Sequence, residues 1–290
     1  LLTCHPCPPR NLTTKSAMLP SDVRETRYRN LGRSLSLLGA YGRQYAKCEE
    51  LLAIEPDHAE ALICRGYTLE KLGRYEDAIA TFERVITLCP KSALAWQGRG
   101  IALGRQGCYE EALTSFSQAL KLDSNDYRLW QNHGKALMNL YRHQEAIHSF
   151  ERVIALKPDN YKAWYNRAIA FSSLSDHDTA LTNLNIALKI KPNSDYIWNY
   201  RGIVLSKLGR HAEALISFEN SIKINPQHSS AWYGRACCYA VQGKVEPAIE
   251  DLERAIELSP SVCRNLARTD ITFNPLQNDS RFQALMVEHS

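Results

Sequence analysis

The stretch AWYNRAIAF, Ala163 to Phe171, sets a tryptophan three residues before an arginine within an apolar run of helical spacing. The tryptophan is one of five, and all keep a single interval. Trp96, Trp130, Trp164, Trp198 and Trp232 follow one another at 34 residues. Such a fixed period is the mark of a tandem repeat, and it decides how the rest of the chain is read.

With units numbered from 1 to 34, seven copies fit without a gap: 25–58, 59–92, 93–126, 127–160, 161–194, 195–228 and 229–262. Position 4 holds Tyr28, Leu62 and then the five tryptophans. Position 8 is Gly32, Gly66, Gly100, Gly134, Ala168, Gly202 and Ala236. Position 11 is large and apolar from Leu35 to Tyr239. Position 20 is alanine from Ala78 to Ala248, and Gln44 is the exception. Position 24 carries Phe82, Phe116, Phe150 and Phe218, and position 32 is proline except at Ser124.

Positions 4, 8 and 11 share one helix face, and positions 20, 24 and 27 share a face of a second helix. Small residues at 8 and 20 let the two backbones approach, while bulky ones at 4, 11 and 24 fill the flanks. Gly39, Gly73, Gly107, Gly209 and Gly243 at position 15 suit the left-handed residue that ends the first helix. Proline at 32 stops the second helix and opens the next unit. Each unit is therefore expected to be a helical hairpin with two apolar stripes, which only stacking on neighbours buries. In such a joint a buried tryptophan contributes roughly 2–3 kcal/mol from area alone.

This pattern resembles the tetratricopeptide repeat family, in phase across all seven units. The resemblance implies an all-α fold, a right-handed superhelical α-solenoid of antiparallel helix hairpins. It also implies a concave groove lined by the first helices, which binds peptides or partner proteins. After 262, residues 263–290 are read as a capping segment with a helix at about 279–288 that covers the last joint. Its N-terminus would be capped by Asp279 or Ser280, as in bacterial arrays with similar tails. Residues 1–22, rich in Pro, Thr and Cys and without period, are expected to be disordered, with Met18 a candidate native start.

Apolar residues make up 44% and charged residues 23%, ordinary values for a chain with a core. No apolar stretch is long enough to span a bilayer, and residues 1–20 lack the charged-then-apolar order of a secretory signal. The net charge of +4 falls short of a dedicated nucleic-acid binder. The nine cysteines are scattered, and most fall in apolar-periodic segments as small core residues. Cys4 and Cys7 have redox-pair spacing without the strand and helix that such a pair needs. Reduced thiols fit a cytoplasmic protein.

Position 7, leucine in most of the family, is Arg65, Arg99, His133, Arg167, Arg201 and Arg235. Either the arginine stems pack on the tryptophans and the heads reach a carbonyl or carboxylate at the unit boundary, or they form a ligand ladder. Five copies favour the repeated joint. His143, His177 and His211 at position 17 form a row, one per unit. Packed helices about 8–10 Å apart keep such a row from sharing one metal ion. Without a phosphate loop, nucleophile elbow or dinucleotide fingerprint, no catalytic residue, metal or cofactor is assigned.

In the family, positions 2, 5, 9, 12 and 13 face the groove. Here they supply Arg29, Arg33, Lys71, Arg105, Arg128, Lys135, Lys162 and Lys207 against Glu60 and Glu70. Tyr67, Tyr165, Tyr196 and Tyr233 are interleaved, with Gln97, Gln131 and Asn199 at position 5. A carboxylate clamp known in some family members would fall on Gln97, Ile101, Asn132, Lys162 and Asn166, where two of five residue types agree. The expectation is a non-catalytic scaffold whose basic groove takes an extended acidic peptide or partner protein, charge setting on-rate and orientation. The ends of the array offer surfaces for self-association. Two other classes differ from this: a regulatory or targeting region of a larger, enzymatic protein, and a single-stranded RNA-binding solenoid. The latter lacks its two-residue code here, so no nucleic acid is assigned as a partner.

Overall fold

The structure, a computed structural model, describes residues 39–287. The first helix of the first unit, Arg29, Arg33, Cys4, Cys7 and the whole 1–22 segment lie outside these residues. Within them the chain is helical, without strands. Helix α1 covers 39–54 in its described part. The next unit pairs α2 (Ala59–Lys71) with α3 (Tyr75–Leu88), followed by α4 (Ala93–Gln106) with α5 (Tyr109–Leu122) and α6 (Tyr127–Asn139) with α7 (His143–Leu156). Then come α8 (Tyr161–Ser173) with α9 (His177–Ile190), α10 (Asp195–Lys207) with α11 (His211–Ile224), and α12 (Ser229–Val241) with α13 (Val245–Leu258). Each second helix packs on its own partner and on the first helix of the next unit, which produces an α-solenoid of antiparallel hairpins.

Each hairpin holds together through a fit between positions 8 and 24. Phe82 is fully buried, and a Cβ on Gly66 would stand 2.7 Å from its ring. Gly98, in the following unit, meets the same ring at 2.2 Å, so one phenylalanine fills the space left by two glycines. Gly134 faces Phe150 at 2.8 Å and Gly202 faces Phe218 at 2.6 Å. Where position 8 is Ala168 or Ala236, position 24 shrinks to Leu184 or Leu252. From the second unit to the seventh, large side chains at 24 thereby go with glycine at 8 and smaller ones with alanine, as a close-packed core requires.

The tryptophans are not the deepest residues. All five are half-buried, and the largest fully buried side chains are phenylalanines and leucines with Ile197. Burial alone therefore does not explain the interval. Each indole N–H donates across the unit boundary to the carbonyl of position 32: Trp96 to Pro90 at 3.0 Å, Trp130 to Ser124 at 2.8 Å, and Trp164 to Pro158 at 2.9 Å. Trp198 reaches Pro192 at 2.8 Å and Trp232 reaches Pro226 at 2.9 Å. Tryptophan combines a broad apolar body with one donor, and this joint uses both.

Position 7 completes the joint. Arg99 donates to Glu83 of the preceding unit and to Ser115 of its own second helix. Arg167 lies 5.0 Å from the Trp164 ring centre and donates to Asn183, with Glu151 at 3.8 Å. Arg201 grips Asn185 and Ser217 in the same way. His133 substitutes with Ser149 at 2.9 Å. The arginine row is thus an inter-helix staple: Arg167, Arg201 and Arg235 lie over the tryptophan of their own unit, and Arg99, Arg167 and Arg201 reach polar residues of two second helices.

Position 15 adopts the left-handed conformation at Gly73, Gly107, Gly209 and Gly243, and equally at Tyr141 (φ 59°) and Ser175 (φ 64°). Gly39, the first-unit counterpart, is already helical, contrary to the turn expected there. The tail also departs from expectation. Pro260 does not only end α13; it opens α14 (Pro260–Thr269), a helix missing from the sequence reading. A 3-10 turn (Ile271–Leu276) and a short α15 (Ser280–Met286) follow, the latter capped by Asp279. Phe273, Leu276 and Phe282 are buried against the last unit, so apolar contact seals that end of the stack.

Candidate functional site

Successive first helices pack on one another, α2 on α4, α4 on α6, α6 on α8 and α10 on α12. No comparable packing joins successive second helices, so the stack curves around its first helices and these form the concave wall. The described side chains among those singled out from sequence stand on these first helices, but their charges are not equally free.

At the N-terminal part, Glu70 is a buried carboxylate that accepts a hydrogen bond from Arg105 at 3.3 Å and forms an ion pair with the Lys71 ammonium at 2.9 Å. Arg128 folds back on Asp126, the capping residue of its own helix, with hydrogen bonds of 2.8 to 3.1 Å. These acids offset much of the positive balance counted from the groove positions alone. Asp126 occupies position 34, outside the family's groove set, and its capping role in front of Tyr127 was the available signal.

Lys135 and Lys162 remain. Neither pairs with a carboxylate among the described residues, and both side chains are exposed. The Lys135 ammonium is held below the usual lysine range, first by loss of surrounding water and then by repulsion from Lys162 and Arg105. The three cations therefore feel one another across α4, α6 and α8. Arg105, Asn132, Lys135 and Asn139 line a cleft of about 310 Å³ at this point.

Several polar groove residues are committed within the array. Tyr67 donates to the Leu94 carbonyl at 2.9 Å and to Gln97 at 3.3 Å, which engages the Gln97 side chain within the array. Gln131 accepts Asn160 at 3.2 Å, and Asn199 donates to Ser230 at 3.3 Å. Asn166 is half-buried on α8. Tyr165 meets Tyr196 edge-on at 5.0 Å and Tyr200 at 5.8 Å, and burial pushes the Tyr165 hydroxyl up to about 12. Tyr233 is covered by the tail. It donates to Asp270 at 3.0 Å and packs edge-on against Phe273, so it closes the groove and does not extend it. Lys207 stands exposed at the end of α10.

The position-17 histidines sit at the starts of second helices, and His177 lies 3.4 Å from Ser172. Among the described residues no group of three His, Cys, Asp or Glu is placed to hold a metal ion. Nor is any described helix long and apolar enough to cross a membrane.

Comparison with known proteins follows the same register. Sequence profiles of the tetratricopeptide repeat match residues 59–92, 93–126, 131–195, 195–228 and 229–262. No curated protein sequence matches the chain. Among solved structures it is similar to YrrB, described as a TPR protein with an unusual peptide-binding site. That similarity has 25% identity and a TM-score of 0.52, over 62% of this chain and 93% of YrrB. PilF of Pseudomonas aeruginosa shares 17% identity at a TM-score of 0.63, over 76% of this chain and 96% of that one. The APC/C hetero-tetramer Cut9-Hcn1 shares 18% at 0.64, over 81% of this chain and 48% of the other. With the hairpins, the glycine–phenylalanine fit and the profile matches in one phase, the chain belongs to the tetratricopeptide repeat family.

Proposed function

We propose that this scaffold holds an extended acidic segment of a partner protein across α4, α6 and α8. Tetratricopeptide arrays are protein-interaction modules, and that much follows from the family. The acidic preference rests on one observation: Arg105 and Lys135 line one cleft, and Lys135 and Lys162 have no carboxylate partners among the described residues. Loss of water first, and repulsion from Lys162 and Arg105 second, hold the Lys135 ammonium down. A carboxylate laid over them relieves that repulsion and is steered there by the local field. Tyr165 and Tyr196, next along the wall, give flat surfaces for the aliphatic parts of the segment.

The test is fluorescence anisotropy with a labelled glutamate-rich peptide. Binding is expected to weaken from low to moderate salt. Lys135→Glu with Lys162→Glu should weaken it by about tenfold or more, since like charges then face each other. An affinity indifferent to salt and to both reversals would leave only a soluble polar surface.

A further inference from the structure

Two clefts on the concave wall have the same address in the repeat. One is lined by Arg105, Tyr109, Asn132, Lys135 and Asn139. The other is lined by Lys207, His211, Gly234, Cys237 and Val241. Each member of the second set stands 102 residues after its counterpart, three repeats further on. Phe116 and Phe218, again in equivalent positions, form the two floors. The clefts are also alike in size, about 310 and 330 Å³.

Their linings differ in kind. Lys135 and Asn139 give way to Cys237 and Val241, and Asn132 gives way to Gly234, whose backbone lies so close to the Phe218 ring that a Cβ there would stand 2.5 Å from it. Burial pushes the Cys237 thiol up, so it stays neutral and acts as a small apolar surface. Val241 is exposed to the extent of 49%, an apolar side chain presented to solvent at the cleft mouth. Lys207 keeps the cation that Arg105 supplies in the first cleft, and it has no carboxylate partner among the described residues. Thr272 of the tail closes the far side.

We propose that the cleft between α10 and α12 receives one apolar side chain of the acidic segment whose carboxylates lie over Arg105, Lys135 and Lys162. The inference rests on the concave wall being the binding surface proposed above. Volume and lining suit a leucine or phenylalanine side chain, and Lys207 at the rim favours acidic flanking residues. The two clefts are three first-helix steps apart. At about 8–10 Å per step, an extended chain covers that distance in about eight residues. The array would then read a pattern, with an acidic cluster and one bulky apolar residue at a set separation.

Three short fluorescein-labelled peptides test this. The first is an acidic peptide of Glu, Ser and Gly. The second carries one Leu at about eight residues from its Glu cluster, in versions with either chain direction. The third keeps that Leu but has Gln in place of every Glu. For the wild-type protein the Leu-bearing acidic peptide should bind about tenfold tighter than the first, in one of the two directions. The gain should vanish in Val241→Asn, which installs the residue of the polar cleft at an exposed site. Equal affinity of the first two peptides in both directions overturns the apolar pocket and leaves the acidic reading standing. If neither acidic peptide binds, the acidic reading fails and the third peptide decides the pocket alone. Binding of that peptide that is lost in Val241→Asn sustains the pocket, and absence of binding overturns it.

Discussion

Arg235 lies over the Trp232 ring at 4.8 Å and holds the buried carboxylate of Asp251 with hydrogen bonds of 2.6 and 2.7 Å. This is the tightest of the position-7 staples, because its acceptor is a charge within the core. Replacing Arg235 with Leu strands that carboxylate and should cost about 3 kcal/mol. Replacing both partners with apolar residues should cost far less. Chemical denaturation of the two variants checks this, and equal losses would show that the pair acts through packing and not through charge.

The fit between positions 8 and 24 predicts a rescue. Gly134→Ala puts a methyl group 2.8 Å from the Phe150 ring and should destabilise the protein by about 1–3 kcal/mol. Adding Phe150→Leu recreates the pairing found at Ala168 and Leu184 and should recover most of the loss. A double-mutant cycle from urea midpoints measures the coupling, and additive effects would contradict the fit.

Tyr141 and Ser175 occupy left-handed turns that four other units fill with glycine. Tyr141 is exposed, so its side chain is easily spared. Tyr141→Gly and Ser175→Gly should each stabilise the array by about 1 kcal/mol, the steric cost of the left-handed region for a residue with a Cβ. Thermal melting of the single variants tests this, and a fall in both midpoints would contradict it.

His133 replaces the staple arginine in the fourth unit, and burial holds its imidazole down at about 4, with Arg142 adding to the effect. The usual value is 6.5. A depressed histidine binds fewer protons when folded than when unfolded. Its contribution is therefore intact above pH 6.5 and is lost as the pH falls toward 4. That loss should approach about 3 kcal/mol. His133→Asn should flatten this part of the stability profile relative to wild type, and an unchanged slope would exclude His133 as its source.

The period, the hairpins and the residue types at 8 and 24 were legible because they repeat, and each copy corrects the reading of the others; that 8 packs directly on 24 was not read, since 8 was set against the alanine at 20. The arginine at 7 could be placed at the unit boundary for the same reason. What escaped lies where units differ or where the repeat stops. Glu70 was counted as one acid against many cations, but burial lets it hold both Lys71 and Arg105. His58, Ser92 and Asn160 cap their helices from the same position as Asp126, but only Asp126 also holds an arginine side chain two residues on. Helix α14 was missed because Pro260 matches the position where other units end a helix, and the same residue suits the first turn of one. The half-buried state of the indoles was hidden by reading tryptophan for bulk and not for its N–H.

That N–H has a spectroscopic consequence. Every indole is tethered to the same kind of carbonyl across a unit boundary, so the protein carries five intrinsic fluorophores, each at one inter-unit seam. Their emission forms a gauge of how many seams are closed. Variants that keep only one of the five would report where along the stack unzipping begins and how far it travels before the whole array gives way.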